Sequence, residues 1–374
     1  MYTVLEYGWM AADGVRIDAY SRAIAKAVKP GAVVVDLGCG TGLMSLLALR
    51  AGARVVHGID LNPAVWLARD LAAENGFADR FRAHHKSSFD VEIDEPVDVI
   101  VADLRGTSPL FDQNLAVLED ARKRWLSPSG VLIPARDRLV VALVEMKTQR
   151  DFLEQGWTSI EQHGFKAAAA RSATLNSVYT DSDAPLFANQ VLSEAKSWTE
   201  IEYGMPFVST RTKTLDLAVT RSGSAHALAV WFEATLLDDI GFTTAPGNRV
   251  VYKRTVLPLL EPVRVQVGDT AKVTLRTDTS GVEWAWDTQI AGGPRVRQAT
   301  FLGMPSSPEA LLRESITATP ERSSRGELVS QILAEMDGKR TLHDLIDRVA
   351  SDHPGQRRDS LVDEVKTCVR RYAR

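Results

Sequence analysis

Val33-Val34-Val35-Asp36-Leu37-Gly38-Cys39-Gly40-Thr41-Gly42 is the stretch on which the reading of this chain turns. A β-branched run stops at an acid, three glycines alternate with other residues, and an apolar helical pattern begins at Leu43. Further on, Val55-Val56-His57-Gly58-Ile59 ends in a second carboxylate, Asp60. Strand, glycine loop, helix, strand and acid in this order describe a cradle for a nucleoside cofactor. The glycines allow a tight turn and close backbone approach, and the second acid accepts hydrogen bonds from a ribose edge. The Gly-x-Gly-x-Gly loop lacks the two-residue gap of a dinucleotide fingerprint, and the preceding acid suits an adenosyl ligand with an amino-acid end.

Around this core the chain reads as alternating elements. A helix over Tyr20–Val28, strand Val33–Leu37, helix Leu43–Arg50, strand Val55–Ile59, helix Ala64–Ala73, a strand near Phe81–His84 and strand Val97–Ala102 predict a parallel sheet covered on both faces. Ser108-Pro109 reads as an N-cap and first-turn proline, opening a helix that carries Phe111, Leu115, Leu118 and Trp125. A ligand then belongs beyond the carboxyl ends of the strands, where Gly38–Gly42, Asp60 and Asp103 all fall. After Ile133-Pro134 the pattern changes to extended segments at Arg138–Lys147, Thr214–Thr220, Leu228–Leu236 and Val263–Arg276. Val263, Val265 and Val267 share one face, and Gly268-Asp269 makes a hairpin turn. This middle region is expected to be an antiparallel barrel, with Phe165–Asn189 as an inserted arm or long loop. From about Ser306 three short amphipathic helices follow, carrying Leu328, Ile332 and Leu333, then Leu342, Leu345, Ile346 and Val349, then Leu361, Val362, Val365 and Val369. Thr341 and Asp344 form a capping box for the second. The expected domains are therefore 1–134, 135–305 with its arm at about 165–189, and 306–374.

Bulk properties exclude several classes. At 374 residues and net charge −4, the chain has no general attraction for nucleic acid or anionic membranes. Two cysteines, Cys39 and Cys368, exclude a disulfide scaffold and a cysteine-built zinc site, and the seven histidines form no ligand cluster. No apolar run is long enough to span a bilayer, and the N-terminus carries no signal-peptide pattern. The expected compartment is a reducing cytoplasm.

The layout from residue 1 to about 300 resembles the protein arginine methyltransferase family, within the class I S-adenosylmethionine-dependent methyltransferases. Met10-Ala11-Ala12-Asp13-Gly14-Val15-Arg16-Ile17-Asp18-Ala19-Tyr20 looks like the family's N-terminal helix signature. Ala121–Leu126 with Gly130 and Pro134 looks like its bridge to the barrel, and His226–Phe232 and Tyr252–Val256 look like barrel strands. The resemblance implies that S-adenosylmethionine is held by Met10, Arg16, Asp36, Gly38, Cys39, Gly40, Gly42, Asp60, Leu61, Ser87, Ser88 and Asp103. In that scheme Arg16 grips the cofactor carboxylate and Ser87 and Ser88 lie at the adenine. Tyr7 and Met10 also pack near the cofactor or simply fill core. It further implies a fold of a Rossmann-like domain, a β-barrel with a dimerisation arm, a homodimer, and a protein or peptide acceptor.

The departures concern the acceptor end. The family's Glu-Trp-Met-Gly hairpin, with a second glutamate beyond it, is matched by Asp103-Leu104-Arg105-Gly106 and Asp112. Both carboxylates survive, each a methylene shorter. A carboxylate pair that binds a guanidinium draws charge onto two nitrogens and leaves electron density on the third. Asp103 and Asp112 are the candidates for that work; a first-turn Asp112 would also suit a helix dipole. Arg105 brings a cation into the acceptor loop, where it either neutralises Asp103 or binds an acidic feature of the substrate. The family's Thr-His-Trp loop aligns with Val250-Val251-Tyr252, so its histidine is absent. These changes keep open another nucleophile (an amine, a hydroxyl or a small metabolite) or a cofactor-binding scaffold. Separately, Leu333–Leu345 resembles the helical half of PqqD-type peptide-binding domains, against the alternative of a stabilising cap.

Overall fold

The computed structural model describes residues 2–110, 113–182, 184–208, 210–278, 283–305, 307–313 and 315–373. Two compact units make up the chain, Met1–Pro305 and Ser306–Arg374. In the first, α1 (Val4–Ala11) is opened by Thr3 in a capping box with Glu6, and α2 (Gly14–Ala27) by the carboxylate of Asp13. Then β1 (Val33–Leu37), α3 (Leu43–Arg50), β2 (Val55–Asp60), α4 (Ala64–Glu74), β3 (Phe81–His85), β4 (Val97–Ala102), α5 (Asn114–Trp125) and β5 (Leu126–Ile133) follow. The strands lie in the order β3-β2-β1-β4-β5, all parallel. Burial of β1 throughout explains its unbroken apolar run. The strand order reverses between β1 and β4, which opens a crevice at their carboxyl ends.

The opening of α5 differs from the sequence expectation. Ser108-Pro109 does not start it; the helix begins at Asn114. The Asn114 amide donates to the Pro109 carbonyl at 2.7 Å, and Ser108 Oγ accepts from the Leu110 amide at 3.3 Å. These local bonds close a turn where a first helical turn was expected. Phe111 and Asp112 lie outside the described residues.

The rest of this unit is mainly antiparallel: β6 (Arg136–Val144), α6 (Lys147–Gln162), α7 (Ala168–Leu175), β7 (Tyr179–Thr180), β8 (Lys196–Glu202), β9 (Thr210–Ala218), β10 (Gly223–Leu237), β11 (Ile240–Thr243), β12 (Thr255–Val265), β13 (Thr270–Asp278), β14 (Trp284–Ile290) and β15 (Val296–Ala299). One sheet runs β7-β12-β10-β6-β8 with β11 on β10, and the other β15-β14-β13-β9. Among the described residues the ladders close no single cylinder. The edges β8 and β9 meet instead through a backbone bridge at one end, the Glu194 amide on the Ala218 carbonyl at 2.8 Å, and beyond it through long side chains. Lys196 and Lys213 donate to the carbonyls of Asp216 and Ser197 at 2.6 and 2.9 Å, and Arg211 to that of Glu200 at 3.0 Å. The first sheet is buried on both faces, by Leu139, Val141 and Leu143 on one side and Val140, Ala142 and Val144 on the other. β12 ends at Val265, so Val267 leaves the shared valine face and is exposed in the turn.

In the segment read as a loose arm, Ala168–Leu175 is helical, and a further helix that the sequence did not announce, α6 at Lys147–Gln162, precedes it. α6 buries only Gln149 and Arg150, which is why no apolar stripe marked it. Arg150 holds it in place, donating to the carbonyls of Leu259 and Leu260 on β12 and to Glu154.

In the second unit, α8 (Pro308–Arg313) precedes α9 (Ser324–Glu335), α10 (Leu342–Asp352) and α11 (Arg358–Tyr372). Leu328, Ile332, Leu345, Val349, Leu361 and Val365 form its core, and the Thr341–Asp344 capping box is present. No strand occurs among its described residues.

Arg150→Ala removes the charged anchor between α6 and β12. Hydrogen exchange is expected to quicken about ten- to a hundredfold across 147–162, matching the roughly 1.5–3 kcal/mol of a charged hydrogen bond, with the parallel sheet unchanged.

Candidate functional site

The crevice at the carboxyl ends of β1, β2 and β4 is a cavity of about 560 Å³. Its floor is the glycine loop. Gly38, Gly40 and Gly42 have φ of 67°, 51° and 82°, a region that L side chains rarely adopt. Space requires glycine as well: a Cβ on Gly40 would stand 2.4 Å from the Tyr7 ring, and one on Gly38 2.3 Å from Leu104. Asp60 shapes the loop from the end of β2, accepting from the Gly40 amide and, with its other oxygen, from the Asn62 amide, both at 2.7 Å. Asp36 sits beneath the loop, 3% exposed, and accepts from Ser45 Oγ at 2.6 Å. Burial pushes its pKa up to about 7, against the opposing Ser45 hydrogen bonds and helped by Asp60 and Asp103.

The far wall is built on Asp103, just after β4. Arg16 Nη1 donates to its Oδ2 at 2.5 Å, Arg105 Nη1 to its Oδ1 at 3.0 Å, and the Tyr252 hydroxyl to Oδ1. Burial opposes the charge on Asp103, but Arg16 and Arg105 outweigh it and hold the carboxyl below the usual aspartate range. Arg16 also donates through Nη2 to the Met10 carbonyl at 2.6 Å, while its buried Nε has no partner. The N-cap Asp13 ties this helix to the Tyr252 loop by accepting from the Val251 amide at 2.7 Å.

Of the residues expected at a cofactor, Met10, Arg16, Asp36, Gly38, Cys39, Gly40, Asp60, Leu61 and Asp103 all line the cavity. Gly42 stands behind the wall as the left-handed N-cap of α3, against Ala68. Ser87 and Ser88 are not on the cavity wall: Ser87 caps a short 3-10 turn, and Ser88 is buried with its carbonyl on Arg124. Arg105 stands against Asp103, one of the two places expected for it, with Nη1 on Asp103 Oδ1 at 3.0 Å. It is 1% exposed and turned onto Asp137, because a buried guanidinium needs a counter-ion that solvent cannot supply. Asp112, the second expected carboxylate, lies outside the described residues. Sequence reasoning missed Tyr252, Asp137, Tyr203, Tyr2 and Asn62. Asp137, between Arg136 and Arg138 at the start of β6, gave no sign in the sequence of being a buried counter-ion.

The cavity's contents match what an adenosyl amino acid requires. A glycine floor admits a flat ring system and ribose, Asp60 offers acceptor oxygens, and Arg16 carries an unmet N–H for a carboxylate.

Comparison with known proteins bears on this site. A family model described as Ribosomal protein L11 methyltransferase (PrmA) matches residues 20–162. The chain is 27% identical over 233 residues to Probable protein arginine N-methyltransferase 6 of Arabidopsis thaliana, covering 60% of this chain and 52% of that protein. It thus spans about half the length of that relative. It is 29% identical to the Arginine N(omega)-methyltransferase of Streptomyces achromogenes subsp. streptozoticus, over 71% of this chain and 74% of the other. Among solved structures, the Trypanosoma brucei PRMT1 enzyme-prozyme heterotetrameric complex with AdoHcy superposes with a TM-score of 0.70 at 21% identity, over 78% of this chain and 95% of that one. None of these supports the likeness of the tail to PqqD-type domains.

Gly40→Ala is expected to weaken retention of S-adenosylhomocysteine at least about tenfold by calorimetry, since strain and the Tyr7 clash both oppose it. The Asp36 proton gives a pH test. Folded Asp36 keeps a proton between about pH 4 and 7 that the unfolded chain releases, so its contribution to stability falls as pH rises through that window. The difference in melting temperature between wild type and Asp36→Asn should decline from pH 4 to 7 and level off above.

Proposed function

Because the chain belongs to the protein arginine methyltransferase family of class I S-adenosylmethionine-dependent enzymes, we propose that it methylates a guanidinium nitrogen of arginine in a protein or peptide. The observation that carries this reading is a single cavity with a glycine cradle on one wall and an ionised, cation-held Asp103 on the other.

When bound, the cofactor supplies a methyl group on sulfonium, already strongly electrophilic. The chain's own work is then to align the acceptor and exclude water. In this reading the loop Gly38–Gly42 and Asp60 hold the adenosyl part, and Arg16 the carboxylate end. Asp103 takes the acceptor guanidinium, drawing positive charge onto the nitrogens it binds and leaving electron density on the nitrogen that attacks. Methyl transfer leaves a neutral thioether behind, and the proton displaced from the attacking nitrogen passes by way of the carboxylate clamp to water. Asp112 is read as the second carboxylate of the same clamp. Tyr7, Met10 and Leu104 cover the reacting centre.

Residues 1–134 serve as the cofactor module and 135–305, with its two antiparallel sheets, as the acceptor platform. The helical arm from α6 to α7 exposes Phe152, Ile160 and Phe165, and is read as the contact of a homodimer. No helix among the described residues is long and apolar enough to cross a membrane, and both cysteines are free, in keeping with work in the cytoplasm.

One relative's name, Arginine N(omega)-methyltransferase, supports a second reading in which the acceptor is free arginine. Incubation of the full chain with labelled S-adenosylmethionine, presented in turn with arginine peptides and free arginine, separates the two. Label should enter peptide arginine, and Asp103→Asn should cut kcat/KM by about a hundredfold or more, as expected for loss of a charged contact at the reacting group. Label in free arginine alone would favour the second reading, and label in neither would remove both.

A further inference from the structure

Behind Asp103 lies an ion pair neither member of which lines the cavity. Arg105 and Asp137 are 1% and 0% exposed. Arg105 donates through Nε and Nη2 to the two Asp137 oxygens at 2.6 and 3.0 Å. Its Nη1 turns the other way, to the Tyr20 hydroxyl at 2.7 Å and Asp103 Oδ1 at 3.0 Å. Tyr203 donates to Asp137 Oδ2 at 2.7 Å, and the guanidinium carbon lies 5.5 and 5.8 Å from the ring centroids of Phe232 and Phe242.

Stability alone does not account for this arrangement. A fully buried ion pair is often matched or bettered by apolar residues of the same volume, whereas breaking one by removing a single partner is costly. What the pair adds here is an N–H fixed on the carboxylate that faces the cavity. We propose that Arg105 and Asp137 are positioning residues that together set the charge and orientation of Asp103 for a cationic acceptor.

Charge counting shows why both members are needed. Arg16, Arg105, Asp103 and Asp137 sum to zero. Without Asp137, two guanidiniums face Asp103 alone, and the cluster turns net positive and repels a cationic acceptor. Without Arg105, Asp103 faces the buried Asp137 with one cation fewer and takes up a proton more readily. The other groups facing Asp103 are Tyr20 from α2, Tyr252 from the loop before β12, and Asp36 from β1, with Tyr203 behind Arg105. None of them carries a positive charge that could replace Arg105.

The inference rests on the reading of Asp103 as the acceptor carboxylate, and the test keeps the two apart. With the full chain and a short arginine peptide, kcat/KM is followed from pH 5 to 9, and peptide affinity is measured by calorimetry in the presence of S-adenosylhomocysteine. Melting temperatures report folding. Asp137→Asn should raise KM and the calorimetric Kd about tenfold or more. The double change Arg105→Met with Asp137→Ala should restore a wild-type melting temperature, yet move the acid limb up by roughly one to two pH units, the usual effect of losing a close opposite charge. Arg105→Lys keeps the charge without the fork, so it should keep the acid limb while kcat falls about tenfold. A merely structural pair predicts that the double variant recovers the pH profile along with its stability. Coincident acid limbs for wild type and double variant would overturn the proposal, as would a limb displaced equally in Arg105→Lys. Wild-type protein that transfers no methyl group to arginine would instead remove the functional reading beneath it.

Discussion

The paired charges around Asp103 hold together parts of the chain that are far apart in sequence. Asp103 and Arg105 follow strand β4 of the parallel sheet, Arg16 comes from α2, Asp137 from β6, and Tyr252 from the loop ahead of β12. Buried charges so placed are tolerated only when each finds its partner, so the cluster fixes the register between the parallel and antiparallel halves of the first unit. The cavity inherits that register. Its glycine floor belongs to the parallel sheet, while the carboxylate opposite is held in part by side chains of the antiparallel region.

Much of this was legible from residues alone. The β1 run with its glycine loop, the acid at the end of β2 and the continuous strand Val97–Ala102 each stand where periodicity placed them, because buried parallel strands leave an unmistakable apolar signature. The Thr341–Asp344 capping box and the three tail helices were equally plain, since amphipathic spacing and a local cap are properties of a short segment.

What escaped the sequence depended on contacts across the fold. α6 buries almost nothing apolar and is pinned by Arg150 to backbone carbonyls more than a hundred positions away, so no local pattern announced it. Ser108-Pro109 had the chemistry of a helix start but was overruled by Asn114 bonding back to Pro109. Ser87 and Ser88 were placed by resemblance in a loop whose geometry resemblance does not specify; Ser87 caps a 3-10 turn and Ser88 is buried. Tyr252 and Asp137 belong to the Asp103 cluster only because distant strands bring them there. Arg105 was noticed as a foreign cation, yet its counter-ion could be found only in three dimensions.

The join between β8 and β9 has a mechanical consequence. A backbone ladder is rigid in shear, since sliding one strand breaks all its bonds at once. Lysine and arginine arms resting on carbonyl oxygens can swing and re-seat one at a time. Away from its backbone anchor at Ser193–Val219, that line is therefore joined more loosely than the ladders on either side of it. Strain between the two sheets can be taken up there one side chain at a time.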